Sequence, residues 1–203
     1  MTQRAYPLDN TEYYAEDVRL FHVARTPGIF NATGTDLQVS AAGGMKLSVL
    51  PGYAYLLTSD STVGGITYGS SAIETINAEV ASSTARYDYI SVRYDKLANE
   101  CKLKYTRGTD DYPTPVRNAN SYEIILALIH VRDSATEIKN SDITDTRLDE
   151  NYCGLVIDGT ERIPTEGMQK QFQDFMNGNQ TALDELSKGI FPMTNEDIDE
   201  VTS

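Results

Sequence analysis

Arg86-Tyr-Asp-Tyr-Ile-Ser-Val-Arg-Tyr-Asp95, then Lys96-Leu-Ala-Asn-Glu100, then Cys101-Lys-Leu-Lys-Tyr-Thr-Arg-Gly108 is the stretch whose reading decides the fold. In the first arm Ile90, Val92 and Tyr94 fall on one side, with Tyr89, Ser91, Arg93 and Asp95 on the other. The second arm sets Cys101, Leu103 and Tyr105 against Lys102, Lys104 and Thr106. Alternation with period two, rich in tyrosine, valine and isoleucine, marks strands with one buried face. The five residues between them, with Asn99 among them, suit a hairpin loop. Downstream, Tyr122-Glu-Ile-Ile-Leu-Ala-Leu-Ile-His-Val131 is almost continuously apolar, as expected of a strand covered on both faces. Ile90, Val92, Leu103, Leu126 and Ile129 are therefore the expected core of a β domain.

Working outward, residues 14–25 carry a helical pattern with Glu16 and Asp17 in its first turn, where the helix dipole favours acids. Tyr14, Val18 and Phe21 share one face of it. Pro27-Gly28 ends the run, and Ile29-Phe30 is expected to anchor in the core. Short strands follow at Leu37–Val39, Met45–Val49 and Tyr53–Leu57, with a weaker one at Ile73–Val80. Pro51-Gly52 suits the central pair of a type II turn, in which glycine supplies a positive φ. Residues 58–71 are punctuated by Gly64, Gly65 and Gly69 and read as a connection. Residues 109–118, with two prolines, form a loop. Residues 132–154 are polar and turn-rich, with Ile138 and Ile143 as plugs.

The pattern changes from Thr165. Met168, Phe172, Phe175, Asn179, Ala182 and Leu186 are spaced as the a and d positions of heptads. A helix under three heptads long is marginal alone in water. Its seam is therefore expected to pack on copies of itself. The expected organisation is a β-rich domain at 1–158, a linker and oligomerisation helix at 159–189, and a short acidic tail at 190–203. In fold class this is mainly β: a compact antiparallel β-sandwich-like domain with a short N-terminal helix, followed by a coiled-coil-type helix.

The 203 residues carry a net charge of −13, from 17 basic against 30 acidic side chains. That balance disfavours nucleic acid, whose phosphates demand clustered lysine and arginine, and disfavours an anionic membrane surface. The N-terminus has no apolar signal region, and no apolar run approaches the ~18–20 residues of a membrane span. Cys101 and Cys153 read as two free buried thiols, in keeping with folding in a cytoplasm. His22 and His130 lie in a helical and an apolar strand pattern, and read as structural histidines.

No zinc spacing, Walker loop, dinucleotide glycine fingerprint or nucleophile elbow occurs, so neither catalytic residues nor cofactors are expected. Asp142, Asp145, Asp149 and Glu150 form the densest acidic set. Their spacing is not that of a calcium loop, and an Asp145–Arg147 ion pair ordering the loop is the simpler expectation. Thirteen tyrosines raise a sugar-binding reading, with Tyr53, Tyr55, Tyr68, Tyr87 and Tyr89 as the glycan contacts. Tyrosine is also an ordinary strand residue, suited to half-buried positions.

Six pieces in order carry a resemblance: Tyr13…Ala15-Glu-Asp-Val18; Arg25-Thr…Gly28-Ile-Phe30; Gly43-Gly-Met-x-Leu-x-Val-x-Pro-Gly-x-Ala54; Arg86-x-Asp-x-Ile-x-Val-Arg-x-Asp95; Tyr122-Glu-x-x-Leu-Ala-x-Ile-x-Val131; and Ile143-Thr-Asp-Thr-Arg-Leu-Asp-x-x-x-Cys-Gly-Leu155. Over residues 6–158 the chain resembles structural proteins from the tails of bacteriophages and prophages of Gram-positive bacteria. The resemblance implies a baseplate, tail-fibre or receptor-binding component without catalysis. It also implies a homo-oligomer, most often a trimer, that meets other tail proteins and in some cases a host cell-surface glycan. Its place would be the virion tail, assembled in the host cytoplasm.

Overall fold

A computed structural model describes residues 12–31, 33–58 and 64–158, together with residues 173, 175, 176 and 179. The chain divides into two compact units, Met1–Gly159 and Thr160–Ser203. Among its described residues the first is mainly β, with one short α-helix, α1 (Ala15–Leu20), and ten strands. These are β1 (Gly28–Ile29), β2 (Val39–Ala41), β3 (Lys46–Val49), β4 (Gly52–Leu57), β5 (Gly65–Ser70), β6 (Glu74–Asn77), β7 (Arg86–Asp95), β8 (Glu100–Thr106), β9 (Ser121–Val131) and β10 (Ile143–Asp145). They form three antiparallel sheets, ordered β1-β4-β5, β2-β3-β6 and β10-β9-β7-β8. The inner faces share one sandwich-like core, to which Ile29, Leu47, Val49, Ala54, Leu56, Ile90, Val92, Ile124, Leu126 and Ile129 contribute.

The hairpin stands where the alternation places it. β7 and β8 pair from Tyr89↔Thr106 to Asp95↔Glu100, and Asn99 takes a positive φ in the turn between them. β9 pairs along the other edge of β7, with a bulge at Ile90/Ser91 that leaves Leu126 without a ladder partner. A bulge shifts the inward–outward alternation by one residue. Hence Leu126 joins Ile124 and Ile129 in the main core, while Ile125 and Leu128 face outward. That outer face is not left to water. Tyr89, Ile125 and Leu128 form a second small cluster beneath Tyr152, and Tyr112 stacks on Tyr87 with ring centroids 4.4 Å apart. The near-continuous apolar run of β9 thus belongs to a strand covered by a sheet on one side and by two loops on the other.

Two expectations are corrected. Residues 65–70 are not a connection but the strand β5, paired with β4 from Gly52↔Ser70 to Leu57↔Gly65. Gly52 does not adopt a positive φ; it opens β4. A Cβ there would stand 2.7 Å from the Leu37 nitrogen and 2.8 Å from the Asp36 Cα, so glycine is needed for close approach and not for a type II turn. The weaker strand at Ile73–Val80 is the four-residue β6, and Ile143 starts β10, an edge strand on β9. Ile138 is buried in the core. Ile29 is buried too, whereas Phe30 is half buried. Helix α1 is shorter than its sequence pattern, and Tyr14, Val18 and Phe21 are all exposed.

In the second unit Phe175 and Asn179 are helical and exposed. Met168, Phe172, Ala182 and Leu186, the remaining seam positions, lie outside the described residues, as does the 190–203 tail.

Candidate functional site

Buried charge in the β unit is concentrated in three knots, each consumed in holding backbone. On the inner face of β7, Arg86 and Asp88 sit two residues apart and so point the same way. Arg86 Nε donates to both Asp88 oxygens at 2.9 and 3.0 Å, and Asp88 is fully buried. The same carboxylate accepts from the Gly108 N–H at 2.9 Å and from the Tyr105 hydroxyl. The guanidinium also donates to the Val80 and Glu79 carbonyls, at 3.2 and 2.8 Å, pinning the segment after β6 onto the sheet. Burial, reinforced by the bond to Asp88, pushes the Tyr105 hydroxyl up to about 12.

The second knot is Glu123, fully buried on the outer face of β9. It accepts from Ser91 Oγ at 2.7 Å and from the Val116 N–H at 3.0 Å, tying down the loop before β9. Sequence reading flagged neither of these two groups. For Arg86 and Asp88 the signal is present, because their parity on β7 is that of inward-facing Ile90 and Val92; Glu123 shares the outward parity of Ile125 and carries no such signal.

The third knot is Asp145 and Arg147. Arg147 Nη2 meets Asp145 Oδ2 at 2.7 Å and its Nε meets Oδ1 at 3.0 Å, a bidentate pair. Burial works to raise the Asp145 carboxyl, but the bonds from Arg147 outweigh it and hold it below the ordinary range. Arg147 Nη1 also donates to the Asp36 carbonyl at 2.8 Å, 111 residues away. The pair therefore fixes the Thr35–Gln38 turn, in which Leu37 holds a left-handed φ of 55°. Asp142 is engaged by Arg132 and by the Lys139 N–H, and Asp149 by Asn151. Among the described residues no three His, Cys, Asp or Glu side chains are grouped to hold a metal ion.

That turn closes one end of a hollow of about 290 Å³ on the outer face of β1-β4-β5, lined by Phe30, Asp36, Tyr53 and Thr67. Sheet register builds it. Tyr53 and Tyr55 share the outer face of β4, opposite Gly69 and Thr67 of β5. A Cβ on Gly69 would lie 2.7 Å from Cδ1 and Cε1 of Tyr53 and 3.9 Å from its Cγ, so the edge of the ring fills the space that the glycine leaves. Gly65 likewise makes room for Tyr55, whose ring carbon Cζ is 2.7 Å from where a Cβ would stand. There the likeness ends. The Tyr55 hydroxyl donates to the His22 carbonyl at 2.8 Å and the ring is fully buried, whereas Tyr53 is 54% exposed. Phe30 flanks Tyr53 on the β1 side, its N–H donating to the Tyr53 carbonyl at 3.1 Å. The Arg25 guanidinium lies over the Phe30 ring, 5.8 Å from its centre.

The other tyrosines singled out from sequence are placed differently. Tyr89 is buried in the outer cluster, and Tyr68 is half buried against the core. Tyr87 has its ring engaged by Tyr112 and, at 5.0 Å, by His130. Cys101 and Cys153 are free thiols, both pushed up to about 12 by burial. Among the described residues no helix is long and apolar enough to cross a membrane.

No protein-family model matches the chain, and comparison with curated proteins and with solved structures likewise gives no significant match.

Proposed function

We propose that this chain is a non-enzymatic structural component of a phage or prophage tail, a baseplate, fibre or receptor-binding part, that self-associates through its C-terminal helix. The observation that carries the reading is Phe175, a helical residue on the heptad seam that is 64% exposed in the single chain. A phenylalanine so placed gains most of its stabilisation when a second helix covers it. Asn179, one turn on, would then face its symmetry mates and set register at some cost in stability. The six-piece resemblance supplies the setting: a virion tail, with other tail proteins as neighbours and three-fold association of copies. Supporting a structural role, Arg86, Asp88, Glu123, Asp145 and Arg147 each spend their charge on fixing backbone.

Light scattering on the intact chain tests the reading. A trimer that falls to monomer in Phe172→Asp/Phe175→Asp is the expected result. A monomeric mass for the intact chain overturns self-association, and an undiminished oligomer in the double variant overturns the assignment of the interface to this helix.

A further inference from the structure

We propose that the outer edge of β6 is a strand-addition site for an extended, basic segment of another polypeptide. The segment pairs antiparallel to β6, with a branched apolar residue opposite Ile76 and a lysine or arginine opposite Glu74. The proposal concerns the β unit and stands apart from self-association through the C-terminal helix.

The bonds at the ends of β3 fix which of its residues face which neighbour. The Ala42 N–H donates to the Lys46 carbonyl and the Leu50 N–H to the Gln38 carbonyl, both at 2.9 Å, so Lys46, Ser48 and Leu50 turn to β2. The Ala78 N–H donates to the Met45 carbonyl at 2.8 Å, so Met45, Leu47 and Val49 turn to Ala78, Ile76 and Glu74. Thr75 and Asn77 therefore direct their N–H and carbonyl groups away from the sheet. β6 ends that sheet, both residues are exposed, and among the described residues none of these four groups has a partner. Other edges are covered. Along β1 the Ile29 N–H donates to the Gly154 carbonyl at 3.0 Å and the Val156 N–H to the Ile29 carbonyl at 2.9 Å. On β2 the outward Ala41 N–H is taken by Asn140 Oδ1 at 2.8 Å. β6 has no such cover, and it carries no lysine, proline or bulge to blunt it.

Side chains choose the partner. Glu74 and Ile76 share one face of β6, and Ile76 packs against the main core while staying half buried. A valine or isoleucine directly opposite would cover its open side, the kind of cross-strand pair from which sheets gain stability. Residues 73–80 hold Glu74 and Glu79 and no lysine or arginine, so the edge is acidic. A basic strand is attracted to it. A second copy, itself at −13, brings the same acids and no cation to this row. The edge is also held ready for pairing. Arg86 fixes the Glu79 and Val80 carbonyls, the Glu79 N–H donates to the Tyr105 hydroxyl at 3.1 Å, and Ser70 Oγ donates to Glu74 Oε1 at 3.3 Å. Little ordering is then needed on this side of the pairing. Main-chain bonds supply the affinity in recognition of this kind, and alternate side chains supply the specificity.

The test is NMR titration of the intact chain with the acetylated, amidated peptide Lys-Thr-Thr-Ile-Thr-Lys-Thr, whose second lysine stands opposite Glu74 when its isoleucine faces Ile76. It should bind with about millimolar or better affinity and shift the amide resonances of β6. Exchange of the Thr75 and Asn77 amide protons should slow about tenfold or more in its presence. N-methylation of the two threonines flanking the isoleucine removes the donors and should abolish binding. Thr75→Pro deletes one outward N–H and leaves the β3 ladder intact, as edge prolines do, and should weaken binding about tenfold. Glu74→Lys should shift the preference to the same peptide with glutamates in place of its lysines. Unchanged β6 amides at millimolar peptide overturn the proposal. So does binding that survives N-methylation, Thr75→Pro or Glu74→Lys undiminished. Protection of the Thr75 and Asn77 amides that grows with protein concentration in the peptide-free chain gives the edge to a second copy and overturns it too.

Discussion

Replacing Asp88 with alanine is the sharpest test of how the β unit is held together. The substitution leaves the strand and its apolar neighbours in place but removes the acceptor shared by Arg86 Nε, the Gly108 N–H and the Tyr105 hydroxyl. What remains is a guanidinium, 4% exposed, bonded to two neutral carbonyls. Removing one partner of a buried ion pair typically costs about 3–5 kcal/mol, because the surviving charge stays buried without compensation. The orphaned Gly108 N–H adds to the same loss, and the contributions are not additive. We therefore expect about 4 kcal/mol in total. With a urea m-value near 2 kcal/mol/M, the unfolding midpoint should fall by about 2 M, followed by tyrosine near-UV circular dichroism. Asp88→Asn keeps an acceptor without the charge and should lose roughly half as much. The double change Arg86→Met/Asp88→Leu removes the uncompensated charge and should recover much of the loss. A loss under about 1 kcal/mol for Asp88→Ala would refute the reasoning, since it would mean that Arg86 reaches water or another partner.

Leu126 is fully buried at the β9 bulge, so Leu126→Ala should cost about 2–5 kcal/mol in the same urea assay, and a loss below about 0.5 kcal/mol would place that strand at the surface. The alkaline limb of stability follows from Cys101, Cys153 and Tyr105, whose protons are held to about 12 against ordinary values of 9.0 for the thiols and 10.0 for the phenol. A raised folded pKa contributes stability that is fully present below the unfolded value and is lost as pH rises through the folded one. Urea midpoints should therefore hold up to about pH 9 and decline steadily toward pH 12. A flat or rising profile over that range would contradict the burial of these three groups.

How much of this was legible in the sequence depends on which physical signal each element carries. The β7–β8 hairpin and β9 announce themselves because alternation and β-branched content repeat over ten or so residues. β5 does not, because Gly65 and Gly69 read as chain punctuation. Their use is to let the Tyr55 and Tyr53 rings lie against backbone, a relation between strands that no single segment displays. Gly52 misleads in the same way, since close approach and positive φ both select glycine. β10 is three residues long and owes its existence to the edge of β9. Asp145 and Arg147 could be singled out as neighbours in sequence. That Arg147 also reaches Asp36 could not, because the contact spans 111 positions. Tyr53 was named among five tyrosines alike in type; burial by the His22 turn, by the outer cluster and by Tyr112 is what separates them.

The way the described β unit ends has a mechanical consequence. Residues 154–158 do not trail away from the sheets but are stitched back to the segment that leads into β1. The Thr26 N–H donates to the Ile157 carbonyl at 3.1 Å, the Ile157 N–H to Thr26 Oγ1 at 2.8 Å, and Arg25 grips Asp158. Tension applied to the chain beyond Asp158 would load this clasp before it reached any long ladder. The clasp is a handful of bonds at a domain margin, so it should yield first and act as a fuse that spares the four-stranded sheet. Under load, this short length of chain would be the first part to give and the first to re-form.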